Sequence, residues 1–376
     1  MDIVNILIIG GGVVGCAIAR AASERWPDVF LVEQFPRLGM GTSTRNSGVI
    51  HSGIYYPQGS AKARHCVEGN ALTLEFCRRH NVAHRRSGKL VVATNSAEET
   101  ELQSLAKLGA GNGVLGLRMI SAQEIKSREP HVNGVAALEV PSTGIVSAEE
   151  LVHAYARVAL DRGANLITRA KLISLESAGE SIRAELRIGD AEVAVKETVE
   201  ARCVINAAGL YADDVASMLG PRPWKIFPVR GEYCEVHGQR ASLINNLVYP
   251  LPHSDGLSLG VHLTKTLWGT LLVGPTANYV NDKENYERNR LEVSEFARDA
   301  KKLLPEISEA DLRLGYSGLR AKLLPPGGTG MADFVITPDP SVPRVIHLLG
   351  IDSPGLTAAP SIASEVTGMI AAVLEN

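Results

Sequence analysis

The amino-acid sequence predicts a mixed α/β fold with α+β elements, in which a domain built on a parallel sheet is interleaved with one built on an antiparallel sheet. Two apolar runs near the N-terminus flank a glycine cluster and a helical stretch, which is the pattern of a strand–helix–strand unit. The segments 231–237, 247–250, 258–264 and 270–274 are short, alternating and separated by turns, which is typical of antiparallel strands. Because no linker or repeat divides the chain, we expect each domain to draw on several segments.

The N-terminal unit carries a glycine fingerprint. Gly10, Gly12 and Gly15 have the spacing G-x-G-x-x-G between an apolar run and a helix. In Rossmann-like folds these glycines permit the turn, let the backbone approach a pyrophosphate, and let the helix pack on the strand. Glu33 ends the second apolar run, where a carboxylate accepts hydrogen bonds from ribose hydroxyls and disfavours a 2′-phosphate. The unit predicts a dinucleotide site and leaves NAD and FAD open.

The remaining elements follow from periodicity in chain order. Amphipathic spacing and capping residues predict helices at 61–81, 97–109, 148–163, 292–304 and 357–374, and a capping box at 121–124 opens a short helix that ends before Pro130. Alternation or continuous apolarity predicts further strands at 89–93, 165–175, 192–199, 203–206 and 345–349. Small residues after the strand at 203–206 permit close approach of a ligand to the sheet edge.

Composition and charge limit the classes of partner. The chain has 376 residues, 45% of them hydrophobic and 21% charged, which suffices for two ordinary globular domains. A net charge of −3 without lysine- or arginine-rich runs argues against nucleic acid. Asp2 and several glycines interrupt the N-terminal apolar run, so we expect no signal peptide and no membrane span. A cytoplasmic protein is predicted, and peripheral contact with the inner face of the membrane is left open.

Cysteine and histidine spacing gives no sign of a metal site. The five cysteines form no CxxC pair, and no cluster of His, Cys and Asp has ligand spacing. We therefore expect reduced, buried thiols and no bound metal.

A polar loop follows Glu33. Residues 39–56 are dense in hydroxyls and glycines and nearly free of core-type apolar residues before Val49. An NAD site would not need such a loop, whereas the ribityl and isoalloxazine groups of FAD must pass more protein. The loop therefore favours FAD.

The run Asn46-Ser47-Gly48-Val49-Ile50-His51-Ser52-Gly53-Ile54-Tyr55-Tyr56 resembles the L-2-hydroxyglutarate oxidase/dehydrogenase family, which lies within the D-amino-acid-oxidase-like superfamily of FAD enzymes. Segments 87–90, 228–233, 259–264, 274–277, 317–320 and 350–357 extend the resemblance over nearly the whole chain. One position departs from the pattern, since members similar to the human one carry Gly-His-Asn-Ser-Gly where this chain has Thr44-Arg45-Asn46-Ser47-Gly48.

The resemblance implies an FAD-binding domain from residues 1–80, 145–225 and 315–376 and a substrate domain from 81–144 and 226–314. Non-covalent FAD is expected, because no cysteine follows Cys234 to form a cysteinyl linkage, although His51 offers a histidyl one. The predicted cofactor contacts are Gly10, Gly12, Val13, Val14, Gly15, Glu33, Gln34, Thr42, Ser43, Asn46, Ser47, Gly48, Ile50, Leu172, Ala208, Gly209, Asp352, Gly355, Leu356 and Thr357. Of these, Leu356 and Thr357 would present amide donors at a helix N-terminus, which favours reduced flavin.

Oxidation of a 2-hydroxy acid requires a carboxylate anchor and a base for the hydroxyl proton. Arg320 is the predicted anchor, because a guanidinium binds a carboxylate through two parallel hydrogen bonds. His51 and His262 are both candidates for the base, since an imidazole is readily poised near neutral pH. Further substrate contacts are predicted at Tyr55, Arg230, Tyr249, Lys265 and Lys322.

The predicted function is oxidation of a small anionic 2-hydroxy acid, foremost L-2-hydroxyglutarate, by hydride transfer to flavin, with oxygen or a quinone-type compound as electron acceptor. Three alternatives stay open. The chain could be an amine or amino-acid oxidase, a glycerol-3-phosphate dehydrogenase, or a flavin redox protein without substrate turnover.

Overall fold

The computed structural model describes residues 3–190, 193–252 and 259–375. The helices are α1 Val13–Ala22, α2 Ala61–His80, α3 Ala97–Gly111, α4 Ala122–Arg128, α5 Ala148–Asp161, α6 Ala212–Ser217, α7 Val293–Ala300 and α8 Gly355–Leu374. The strands are β1 Ile3–Ile9, β2 Val29–Val32, β3 Val49–Ile50, β4 His84–Arg85, β5 Lys89–Ala93, β6 Arg118–Ser121, β7 Ala136–Val140, β8 Gly144–Val146, β9 Asn165–Ile167, β10 Ala170–Ala178, β11 Ser181–Ile188, β12 Val195–Asn206, β13 Phe227–Val236, β14 Leu247–Pro250, β15 His262–Lys265, β16 Leu271–Gly274, β17 Asn278–Tyr279, β18 Arg313–Lys322, β19 Val335–Pro338 and β20 Val345–Leu349.

The first sheet carries the N-terminal strand at its centre. Its order is β10-β11-β12-β1-β2-β9, and β20 pairs with β12 and with β19. Strand β1 runs parallel to both β2 and β12, with Ile9 opposite Val32 and Asn206. The carboxyl ends of these three strands therefore meet at one edge, which is where ligands bind in open α/β sheets.

Helices α1, α5 and α8 form the core on one face of the first sheet, where α1 packs against both of the others. Ile8, Leu31, Tyr155 and Ile362 are fully buried in this cluster. Within the described residues, α8 is the one helix whose length and hydropathy would suffice to cross a membrane. Its apolar side packs against α1 and α2, so core packing accounts for its composition.

The second sheet has nine strands in the order β17-β13-β16-β15-β14-β5-β7-β6, with β18 added to β13. Together the two sheets confirm the predicted α/β fold class with a second sheet domain. Most neighbours are antiparallel as predicted, but β14 and β5 pair in parallel, with Val248 opposite Leu90. These two strands come from distant segments, so no hairpin fixes their relative direction.

A small third sheet has the order β3-β8-β4 and joins the polar loop to the rest of the fold. Strand β3 lies within residues 39–56 and pairs antiparallel with β8, with Ile50 opposite Gly144. The loop is therefore anchored by backbone pairing at its centre.

Polar caps form at the predicted starts of α2 and α4, whereas α7 ends at Ala300, before its predicted end at residue 304. The Ser60 hydroxyl accepts from the amide of Ala63 at the start of α2, and Asn81 ends that helix with φ 54°. Ser121 and Glu124 form the predicted capping box of α4. Helix α8 begins at Gly355, two residues before the predicted start.

Several strand predictions are corrected. The predicted strand 165–175 is divided into β9 and β10 at Arg169, which has φ 56°. The predicted strands 192–199 and 203–206 form the single strand β12, and residue 192 lies outside the described residues. Strand β15 begins at His262, and residue 258 of its predicted range is also outside them. Strand β18 pairs with β13, so the predicted domain boundary at 315 falls inside a strand of the second sheet.

A buried ionic network ties β19 and β20 to the segment after α6. Asp339 is 1% exposed and accepts hydrogen bonds from Arg222 at 2.7 and 2.8 Å and from His347 at 3.0 Å. Burial alone would raise the pKa of Asp339, but the bonds from Arg222 and His347 outweigh it and lower the pKa to about 2. The ionised carboxylate therefore stabilises the fold above the pKa of the unfolded chain.

We expect Asp339→Asn to lower the free energy of unfolding at neutral pH by about 3 kcal/mol, because it leaves the buried charge of Arg222 unpaired. In the unchanged protein this stabilisation is lost as the pH falls from about 4 towards 2. Urea unfolding at several pH values measures both effects. Asp190→Asn removes an exposed partner of Arg169 and is expected to cost less than about 1 kcal/mol. Equal losses in the two variants would contradict the structural role of Asp339.

Candidate functional site

A cavity of about 590 Å³ runs from the carboxyl edge of the first sheet to the second sheet. Gly10 and Glu33 line it on the first sheet, and Tyr249 and His262 line it on the second. The cavity therefore joins the two predicted domains, which suits a long ligand whose reactive end meets a second set of side chains.

The glycine turn before α1 forms a cradle from which side chains are excluded. Gly10 has φ 108°, and a Cβ added there would lie 2.5 Å from the carbonyl oxygen of Ala207. A Cβ on Gly15 would collide with the carbonyl of Gly10, so the helix packs as closely as the fingerprint predicts. At Gly12 a Cβ would lie 3.0 Å from Ser43 Oγ. The turn thus offers bare backbone to a ligand, and the residues present fit the pyrophosphate of FAD.

Glu33 has a structural task as well as its predicted ligand contact. Its carboxylate accepts hydrogen bonds from the amides of Gly11 at 2.7 Å and Phe35 at 2.8 Å. Burial raises the pKa of Glu33 in spite of these bonds. Glu33 also lines the cavity, and a carboxylate has further lone pairs for ribose hydroxyls.

We expect Glu33→Ala to weaken FAD binding by about 1–3 kcal/mol, because the ribose hydroxyls and the Gly11 amide both lose an acceptor. Fluorescence titration of the apoprotein with FAD measures the dissociation constant. Glu68→Ala, which removes an acid on α2 that bonds Ser361, is the matched control. An unchanged constant in Glu33→Ala would place the ribose elsewhere.

The polar loop uses part of its hydroxyl and amide groups on itself. Ser43 Oγ accepts from the amide of Val13 at 2.9 Å, and Asn46 bonds the carbonyls of Thr42 and Ser43. Thr42 donates to the carbonyl of Leu319 at 2.7 Å, which ties the loop to β18. These residues therefore shape the cavity wall in addition to lining it.

Most predicted cofactor contacts line the cavity. They are Gly10, Gly12, Val13, Val14, Glu33, Gln34, Thr42, Ser43, Asn46, Ser47, Leu172, Ala208, Gly209, Asp352, Gly355 and Leu356. Four others lie behind the lining, namely Gly15, Gly48, Ile50 and Thr357. Gly15 and Gly48 pack against backbone carbonyls, Ile50 is fully buried, and the Thr357 hydroxyl accepts from the amide of His51.

His262 and His51 both line the cavity. Nδ1 of His262 lies 2.9 Å from the carbonyl of Gly260. A carbonyl accepts only, so the proton sits on Nδ1 and Nε2 is left as the basic nitrogen. Nε2 of His51 lies 3.3 Å from Ser353 Oγ. Burial lowers the pKa of each histidine to about 3, so both imidazoles are neutral at physiological pH.

Arg320 brings a cation into the same cavity from β18. Its Nη1 donates to the carbonyl of Thr276 at 3.0 Å, and a guanidinium has further donors for a ligand. A Cβ added at Gly231 would lie 2.7 Å from the guanidinium. The missing side chain of this glycine therefore leaves the space that the Arg320 guanidinium occupies. The sequence did not single out Gly231 for this task, because its partner lies on another strand.

A buried ion triad lies at the start of α8. Asp352 is 2.6 Å from Lys62 and 3.1 Å from Lys322, and all three side chains line the cavity. Burial alone would raise the pKa of Asp352, but the two lysines outweigh it and lower the pKa. The triad carries one net positive charge. Lys322 is thus already paired with Asp352, and Lys62 is a cation that the sequence analysis missed.

Three predicted substrate contacts lie outside the cavity lining. Arg230 is 2% exposed, pairs with Glu232 at 2.9 Å and donates to backbone carbonyls at positions 288 and 289, so it is a structural residue. Lys265 donates to the carbonyl of Ala241. Tyr55 is buried and accepts a hydrogen bond from Lys89. These three side chains therefore lie apart from the cavity, whereas Tyr249 and Lys322 line it as the prediction requires.

The chain is similar to known proteins over nearly its whole length. The profile of the family described as FAD dependent oxidoreductase (DAO) matches residues 5–369. L-2-hydroxyglutarate dehydrogenase of Indibacter alkaliphilus is 34% identical over 96% of this chain and 97% of its own length. The human mitochondrial L-2-hydroxyglutarate dehydrogenase is 32% identical over 98% of this chain and 88% of its own length.

Solved structures share the fold. L-alpha-glycerophosphate oxidase from Mycoplasma pneumoniae with FAD bound superposes with a TM-score of 0.88 at 27% identity, covering 98% of this chain and 95% of that one. Glycine oxidase from Geobacillus kaustophilus has a TM-score of 0.80 at 20% identity, covering 98% and 95%, which is a likeness of fold.

Proposed function

Because this chain belongs to the DAO family of FAD-dependent oxidoreductases, we propose that it oxidises L-2-hydroxyglutarate to 2-oxoglutarate. The observation that carries the proposal is the meeting of Arg320 and His262 in the cavity that begins at the glycine cradle. The two side chains are near enough for the charge of Arg320 to contribute to lowering the pKa of His262. The proposal takes Arg320 as the carboxylate anchor and His262 as the base at the reactive end of the site. Bacterial and mitochondrial relatives named for this substrate support the same choice.

In this proposal the substrate loses a hydride from Cα and a proton from its hydroxyl. Bound FAD supplies the acceptor for the hydride and its two electrons. Arg320 binds the C1 carboxylate through two charged hydrogen bonds and so orients Cα. His262 takes the hydroxyl proton on Nε2, because Nδ1 already carries its proton toward Gly260. His51 is the second candidate for the base.

The distal carboxylate distinguishes hydroxyglutarate from shorter hydroxy acids. The triad of Lys62, Asp352 and Lys322 lines the same cavity with one excess positive charge, and Tyr249 also lines it. We assign the distal carboxylate of the substrate to the excess positive charge of this triad. Lys265 does not contact it in this proposal, because its ammonium donates to the carbonyl of Ala241 and the residue lies outside the cavity lining.

The electrons leave to oxygen or to a quinone-type acceptor, and the protein acts in the cytoplasm, with peripheral contact to the membrane if the acceptor is a quinone. An acceptor is required because two electrons and two protons must leave the enzyme for each substrate molecule oxidised.

Reduction of a dye by the FAD-loaded enzyme tests the substrate class. We expect L-2-hydroxyglutarate to give the highest kcat/KM in a panel with lactate, glycerol 3-phosphate, glycine and glutamate. A preference for glycerol 3-phosphate would favour the chemistry in the name of the Mycoplasma enzyme, with Arg320 holding a phosphate. A preference for an amine would favour an amino-acid oxidase, and no turnover with any compound would favour a redox protein.

A further inference from the structure

Lys89 is a buried cation that the proposed reaction does not use. It is 2% exposed on β5, and its Nζ donates a hydrogen bond of 3.1 Å to Tyr55 Oη. The ammonium also lies 4.4 Å from the ring centre of Tyr55 and 4.6 Å from that of Tyr249. Across the described parts of the chain, no carboxylate lies within ion-pair distance of it. A charge buried without an acid is costly, so its place calls for a function.

Lys89 is linked to the proposed base by stacked rings. The ring of Tyr249 lies 3.8 Å from the imidazole of His262, at an interplanar angle of 18°. Lys89, Tyr249 and His262 therefore form a column that starts in the core and ends in the cavity wall. After burial, the charge of Lys89 is a further cause that lowers the pKa of both His262 and His51.

Among the titratable groups next to Lys89, the pKa values of the others lie far from neutral pH. Burial raises the pKa of Tyr55, Tyr249 and Cys66, so these groups stay protonated and neutral. Both histidines stay unprotonated, with the pKa of each lowered to about 3. Burial lowers the pKa of Lys89 to about 7.

We propose that Lys89 is a positioning residue for proton transfer: it holds the rings of Tyr55 and Tyr249 in place and sets a positive charge behind the ring that stacks on His262. When Lys89 is charged, a proton on His262 is repelled by a like charge on the other side of the Tyr249 ring. When Lys89 is neutral, His262 accepts the substrate proton more readily. The inference rests on the proposed function, because it takes His262 as the base.

The proposal predicts three pH profiles for anaerobic flavin reduction by substrate in the holoenzyme. The unchanged protein gains rate by about tenfold as the pH rises through the pKa of Lys89, about 7. Lys89→Met is fixed in the neutral state, so its rate is independent of pH in this range and near the upper plateau. Lys89→Arg keeps the charge at every pH and stays near the lower plateau. The control is Lys225→Met, which removes an exposed cation on Phe227 and keeps the profile of the unchanged protein.

A second measurement works without turnover. In holoenzyme with ¹³C-labelled histidine, the His262 ring signal, identified by its loss in His262→Asn, is titrated by NMR. Lys89→Met is expected to raise the proton affinity of His262 about tenfold, and Lys89→Arg to leave it unchanged. A purely structural Lys89 would change the rate equally at all pH values and would leave the His262 titration unmoved. That result, or identical profiles in all variants, overturns the inference even when the substrate is correct. If no hydroxy acid reduces the flavin, the proposed function fails, and the NMR titration still decides the role of Lys89.

Discussion

Replacing Gly12 with valine is expected to abolish FAD binding while the chain stays folded. A Cβ at this position already lies 3.0 Å from Ser43 Oγ, and the further methyl groups of valine would occupy the cradle where the pyrophosphate meets the backbone. Ser43 also bonds the amide of Val13, so the start of α1 has little room to move aside. Flavin absorbance per chain measures cofactor content, and circular dichroism checks the fold.

Gly368→Val is the matched control for this result. A Cβ there meets no atom within 4 Å, and the position is exposed on α8, far along the helix from its cavity end. We expect normal FAD content in that variant. Full flavin retention in Gly12→Val would mean that the cofactor does not use the glycine turn.

Arg320→Ala is expected to lower kcat/KM for the hydroxy acid. The corresponding rise in activation free energy is about 3–6 kcal/mol, because two charged hydrogen bonds of roughly 1.5–3 kcal/mol each are lost. Flavin content should stay normal, because the guanidinium is proposed to face substrate. Arg320→Lys keeps the charge but loses the planar fork, so both the rate of flavin reduction and the substrate affinity should fall by less. Stopped-flow reduction measures both quantities.

Two further variants test whether activity depends on the position of the Arg320 guanidinium or only on the number of positive charges. Gly231→Ala places a Cβ 2.7 Å from the guanidinium, and because that end of Arg320 is flexible, the anchor should move while the fold persists. We expect this variant to lose activity although no charge is removed. Lys265→Ala removes a cation bound to the Ala241 carbonyl outside the cavity and should keep nearly full activity. Unchanged kinetics in Arg320→Ala would show that other residues hold the carboxylate.

Local patterns predicted the N-terminal strand–helix–strand unit of the first sheet. The glycine unit depends on contacts within a few residues, such as the packing of Gly15 on Gly10, so its spacing alone specifies strand, turn and helix. The same holds for the capping box at Ser121. Where strands pair across long separations, as β5 does with β14, no local signal fixes direction or neighbour, and the sequence analysis missed that pair.

The sequence predicted which residue types the site needs, but it did not show which of those residues are bound to other side chains in the folded protein. Arg230 and Arg320 have the same chemistry in the sequence, yet one is bound to Glu232 in the core and the other lines the cavity. The difference is set by tertiary neighbours, as is the ion pair that engages Lys322. Lys89 lies within segment 87–90, which resembles the family, but its sequence position does not show that it faces the stacked rings of Tyr249 and His262. That arrangement is made by the fold.

The central claim is that this FAD enzyme oxidises L-2-hydroxyglutarate, and an anaerobic titration of the purified holoenzyme tests it most directly. The flavin absorbance is recorded against added L-2-hydroxyglutarate, with the D-enantiomer as control, and 2-oxoglutarate is assayed at the end. We predict that one equivalent of the L-enantiomer bleaches the flavin and yields one equivalent of 2-oxoglutarate, while the D-enantiomer leaves the spectrum unchanged. A fully loaded enzyme whose flavin stays oxidised with L-2-hydroxyglutarate would contradict the claim.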